Sequence, residues 1–133
     1  MTALKRTTLG VAAVTAMALV TALAATARAD SPEFKCASGE RIERKQSTWG
    51  YARGAGSDLR IENTQSSVGW ARSAGSDWRI ETFGGSTLAF VRGARIEKSN
   101  GETWTSLDTA RQFAECPDIV AAALWVLRQA GRL

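Results

Sequence analysis

The tripeptide Arg-Ile-Glu recurs at Arg41-Ile42-Glu43, Arg60-Ile61-Glu62, Arg79-Ile80-Glu81 and Arg95-Ile96-Glu97, at offsets of 19, 19 and 16 residues. Between the copies stand three related segments, Thr48-Trp49-Gly50-Tyr51-Ala52-Arg53, Ser67-Val68-Gly69-Trp70-Ala71-Arg72 and Thr87-Leu88-Ala89-Phe90-Val91-Arg92. A chain built this way repeats one two-segment unit, as β-hairpins or as coils of a solenoid. Both segment types alternate with period two and are rich in aromatic and β-branched residues. Gly54-Ala55-Gly56-Ser57, Ser73-Ala74-Gly75-Ser76 and Arg92-Gly93 supply turn chemistry between them.

Pairing parity favours the hairpins. With Arg53 opposite Asp58 across a four-residue turn, Tyr51 faces Arg60 and Gly50 faces Ile61. The next repeat sets Trp70 opposite Arg79, and a two-residue Arg92-Gly93 turn sets Phe90 opposite Arg95. Removing an even number of residues from the third unit keeps every side chain on its face, a condition that a hairpin imposes and a solenoid coil does not. The expected fold is mainly β within an α+β arrangement. It is an antiparallel β-meander of about seven or eight strands from Arg41 to Thr105, made of 19-residue two-strand repeats. A small closed β-barrel is the alternative.

This register separates two faces. One collects Gly50, Ala52, Leu59, Ile61, Gly69, Ala71, Trp78, Ile80, Ala89, Val91, Ala94 and Ile96, uncharged and partly small, so another element can approach closely. The chain offers helices for it: Ser106 suits an N-cap for a short helix to about Ala114, and Pro117 can open a second ending near Gly131. Ile119, Val120, Ala123, Leu124, Val126 and Leu127 form an apolar stripe on that second helix, with Arg128 off it. Trp125 lies on the Arg128 side, as an anchor or as part of the helix–sheet seam.

Residues 1–29 read as a secretory signal peptide: Lys5 and Arg6, an apolar run from Leu9 to Ala25, then Ala27-Arg28-Ala29 before Asp30. One domain, 30–133, follows, and it is expected to be secreted or periplasmic. Lys5, Arg6 and Arg28 all lie in the leader, so the net charge of +4 falls to +1 on its removal, and the basis for a nucleic-acid or anionic-membrane partner goes with it. Ile119 to Leu127 is too short for a bilayer, so no stable membrane insertion is expected after cleavage. Cys36 and Cys116, near the two ends of the domain, are expected to pair as a disulfide.

The chain has no His. Ser-His-Asp and Cys-His nucleophilic sites and His-ligated metal centres are therefore excluded. Glu62 and Glu81 stand on strands separated by one neighbour, near the carboxylate spacing of an inverting glycosidase, but each alternates with Arg and is expected to stay ionised. Gly54-Ala55-Gly56 lacks the Lys-Ser/Thr and helix of a phosphate loop. The Asp58 and Asp77 loops offer too few carboxylates for calcium. No enzyme activity, cofactor or metal is expected.

The second face interleaves Trp49, Tyr51, Trp70 and Phe90 with Arg60, Arg79 and Arg95, together with Val68, Leu88, Arg53, Arg72, Arg92 and the glutamates. Aromatic rings beside fixed guanidiniums are the side chains enriched at binding hot spots. The expected function is that of an exported binding protein recognising a protein partner through this face, in the manner of an inhibitor or immunity protein. The alternatives are a carbohydrate-binding module with the rings as a sugar platform, and a structural envelope protein whose aromatic and Arg–Glu pairs merely cover the sheet.

Overall fold

The structure, a computed structural model, describes residues 31–133; the expected signal peptide, residues 1–29, lies outside the described residues. Ten strands form one open sheet: β1 (Phe34–Cys36), β2 (Arg41–Arg44), β3 (Ser47–Ala55), β4 (Asp58–Asn63), β5 (Ser67–Ala74), β6 (Asp77–Thr82), β7 (Thr87–Arg92), β8 (Arg95–Lys98), β9 (Thr103–Ser106) and β10 (Ala114–Glu115). Helix α1 (Leu107–Phe113) separates β9 from β10, and α2 (Asp118–Gln129) closes the fold. Strands β2 to β9 are the expected meander. The two additional strands are short: β1 extends the meander beside β2, and β10 pairs parallel to β1, so the sheet order runs β10-β1-β2 onward to β9.

The hairpins are two residues out of the register expected from the loops. Arg53 pairs with Arg60 and Ala55 with Asp58; Arg72 pairs with Arg79 and Ala74 with Asp77; Arg92 pairs with Arg95. Every one of these turns has two residues, because Gly56, Gly75 and Gly93 at the first turn position adopt φ of +66°, +66° and +58°, the conformation a tight hairpin requires there. The third unit is thus shortened by two residues from each strand and not in its turn, which leaves Ala94 exposed at the tip. An even shift preserves the faces, so Ile61, Ile80 and Ile96 remain on the helix side, each fully buried.

A bulge follows the isoleucine of each Arg-Ile-Glu copy. On the partner strands the extra residues are Trp49, Val68, Leu88 and Trp104, and all four pack against the core instead of standing on the outer face. The inner face is otherwise shaped by close approach. A Cβ on Gly50 would lie 1.9 Å from the Glu62 carbonyl oxygen, and one on Gly69 would lie 2.8 Å from the Glu81 carbonyl and from a Leu127 methyl.

Curvature follows from connectivity. At normal spacing the edge strands of a flat ten-stranded sheet stand about 43 Å apart, yet β9 and β10 are joined only by α1, about 10 Å long. The sheet therefore rolls around α2, which touches β5, β6, β7 and β10. The helix is correspondingly buried beyond a single stripe: Ala121, Ala122, Ala123 and Leu124, four consecutive positions sweeping most of its circumference, are all at 0% exposure. Ser106 caps α1 by accepting from the Thr109 N–H at 3.4 Å, and Pro117 precedes α2 as expected.

Side chains fasten the β10–β1–β2 end of the roll to the last helix. Cys36 and Cys116 form the disulfide across β1 and the chain leading into α2. Arg128 makes a two-pronged ion pair with Glu33, to which Arg44 also bonds at 3.1 Å, and its guanidinium lies over Phe34 and Phe113. Trp125 meets Trp104 edge-on at 5.3 Å, which places it in the helix–sheet seam.

Candidate functional site

The outer face of β3 to β8 is built from one four-residue motif used three times. Across each hairpin an aromatic ring faces the glutamate and two arginines face each other: Tyr51 with Glu62 and Arg53 with Arg60; Trp70 with Glu81 and Arg72 with Arg79; Phe90 with Glu97 and Arg92 with Arg95. Residues two apart on a strand share a face, so the first arginine of each set folds onto the ring of its own strand. The guanidinium carbons of Arg53, Arg72 and Arg92 sit 4.3, 4.3 and 4.8 Å from the ring centroids of Tyr51, Trp70 and Phe90.

The carboxylates tie the motif together. Glu62 accepts from Arg53 and Arg60, Glu81 from Arg72 and Arg79, and Glu97 from Arg92 and Arg95. The ring-bound arginines also reach the preceding hairpin or loop: Arg53 to Glu40 at 3.8 Å, Arg72 to Asp58 at 3.2 Å and Arg92 to Asp77 at 2.8 Å. Three equivalent clusters of ion pairs, each of two arginines and two carboxylates, thus repeat across the sheet.

Two arginines are enough to overcome burial. Hydrogen bonding from Arg53, with the charges of Arg53 and Arg60, holds the Glu62 carboxyl below the usual range against a smaller opposing effect of burial. At Glu81 burial is the largest single influence and pushes upward, but the hydrogen bonds and charges of Arg72 and Arg79 together outweigh it and the carboxyl is again lowered. Both groups are anions at neutral pH, which is unsuited to a general acid. Because their folded pKa values lie below the unfolded ones, their contribution to stability is present above the usual carboxylate range and lost as pH falls through the folded values. Denaturant unfolding is expected to show stability unchanged from neutral pH to about pH 5 and falling below about pH 4; a loss beginning at pH 6 would contradict it.

The structure brings Tyr51, Trp70, Phe90, Arg60, Arg79 and Arg95 onto this one face, as expected, with two corrections. Trp49 is not part of it: its bulge turns it to the core, where it meets Phe34 edge-on at 5.1 Å. The guanidiniums over the rings belong to Arg53, Arg72 and Arg92, while Arg60 stands opposite Trp70, and Arg79 opposite Phe90, across the neighbouring strand pairs. Phe83 is the residue that sequence reasoning missed. It sits in the β6–β7 loop, is 53% exposed and stacks parallel to Trp70 at 6.2 Å. Its signal was the departure from the repeat: Thr82-Phe83-Gly84-Gly85-Ser86 replaces the polar Asn63-Thr64-Gln65-Ser66.

Among the described residues no group of His, Cys, Asp and Glu is arranged to hold a metal ion, and no helix is long and apolar enough to cross a membrane. Comparison with known protein families, with curated proteins and with solved structures finds no match to this chain.

Proposed function

We propose that the chain is an exported, non-enzymatic binding protein that recognises another protein through the outer face of its sheet, as inhibitor or immunity proteins do. The observation that carries this reading is the Trp70–Phe83 stack. It sets Phe83 of the β6–β7 loop against Trp70 of the outer face, neither ring belongs to the core, and Phe83 is the one large hydrophobic side chain left exposed among the described residues. Arg72 covers Trp70 and holds it in place, so a partner meets a rigid aromatic anchor and loses little side-chain entropy on docking. A sugar platform needs open ring faces, whereas Tyr51, Trp70 and Phe90 each carry a guanidinium. The disulfide suits an oxidising compartment outside the cytosol.

The test is a photoreactive benzoylphenylalanine in place of Phe83, expressed in the native host, with the same group at exposed Gln112 as control. A single protein adduct is expected from position 83 and not from 112. Trp70→Ala is expected to weaken that complex by about 2 kcal/mol or more, roughly thirtyfold, with thermal stability nearly unchanged. No adduct from position 83 would remove the proposal.

A further inference from the structure

The arginines of the outer face fall into two classes. Arg53, Arg72 and Arg92 are consumed: each lies on a ring, binds its own hairpin's glutamate through Nε and reaches another carboxylate through Nη1. Arg41 and Arg95 each pair with one carboxylate, that of Glu43 and of Glu97. Arg60 and Arg79 likewise pair with one carboxylate each, hydrogen-bonding Glu62 and Glu81 through Nε, and among the described residues they reach no second one.

Arg60 and Arg79 occupy β4 and β6, on either side of the β5 residue Trp70, which stacks with Phe83. We propose that Arg60 and Arg79 bind carboxylates of an acidic segment of the partner protein, one guanidinium on each side of an apolar side chain that docks on the Trp70–Phe83 stack. The inference rests on the protein-binding reading above and names the partner's chemistry.

Depth sets the sign of what a partner meets. The Glu62 and Glu81 side chains are 17% and 5% exposed, whereas Arg60 and Arg79 are 37% and 41% exposed, so the carboxylates lie beneath and the guanidiniums above. Anchoring at Nε orients each guanidinium before binding, and a planar guanidinium matches a carboxylate with two parallel hydrogen bonds. Discrete carboxylates flanking an apolar residue fit the pattern of guanidinium, ring and guanidinium.

Binding of the disulfide-intact chain to the synthetic peptide Gly-Asp-Asp-Phe-Asp-Asp-Gly, to its counterpart with Asn at every Asp, and to oligothymidine tests this directly by calorimetry. The acidic peptide is expected to bind at least about tenfold more tightly than the Asn peptide. The double variant Arg60→Gln/Arg79→Gln is expected to lose that preference. Arg60→Lys/Arg79→Lys, which keeps the charges beside Glu62 and Glu81 and guards against a folding defect, should retain part of it. Equal binding of the two peptides, absence of binding to both, or tighter binding of oligothymidine overturns the proposal. If the adduct at position 83 still forms in that case, the protein-binding reading stands and only the acidic character of the partner falls.

Discussion

Ile80→Arg is expected to abolish cooperative folding. Ile80 is at 0% exposure beneath α2, midway along the roll, and its neighbours there are Ala71 and Ala89 across the strands and the apolar helix. The substitution removes a buried aliphatic side chain, at about 2–5 kcal/mol, and forces a guanidinium into a site with no carboxylate on that face. The whole domain is held by about 5–15 kcal/mol, so the combined cost is comparable to all of its stability. A control at exposed Ala74, on the adjacent strand, should change stability by no more than about 0.5 kcal/mol as Ala74→Arg. Circular dichroism during urea titration distinguishes them: a normal transition for Ile80→Arg would place this side chain outside the core.

Loss of the disulfide is expected to have the next largest effect, and a local one first. Cys36 and Cys116 are 80 residues apart in sequence, and in the chain-entropy account closing a loop of that size stabilises by up to about 4–5 kcal/mol, with measured values often lower. The strands it fastens cannot compensate, since β1 has three residues and β10 two. In Cys36→Ser/Cys116→Ser, amide exchange should accelerate first in β1 and β10 while β4 to β7 remain the most protected. Uniform protection along the sheet would show that the seam is held by Glu33, Arg44 and Arg128 without the bond.

The bulged positions show how far side-chain alternation can be read. Trp49 and Tyr51 are two apart and belong on one face of any regular strand, yet they end on opposite sides, because an extra residue at Trp49 breaks the ladder where Ile42 meets Gly50 and Glu43 meets Thr48. No pattern in the segment marks that break. It arises where a curling sheet must accommodate the helix, and it recurs at Val68, Leu88 and Trp104 because each unit meets the same curvature.

What the amino-acid sequence determined by itself is the hairpin repeat, the separation of its two faces, the helices that cover one of them and the cysteine pair that fastens the ends. Each depends on local chemistry: period-two alternation survives any even slip of register, Ser106 and Pro117 act within one helical turn, and only two thiols exist to pair. The tertiary structure decided the rest. Positive φ at Gly56, Gly75 and Gly93 chose the two-residue turns and so moved the glutamates opposite the rings. The packing of the outer face set Glu62 and Glu81 beneath their arginines, and the β6–β7 loop brought Phe83 onto Trp70, thirteen positions away in the chain. Depth and proximity depend on how distant segments pack around a common core, and a one-dimensional pattern carries neither quantity.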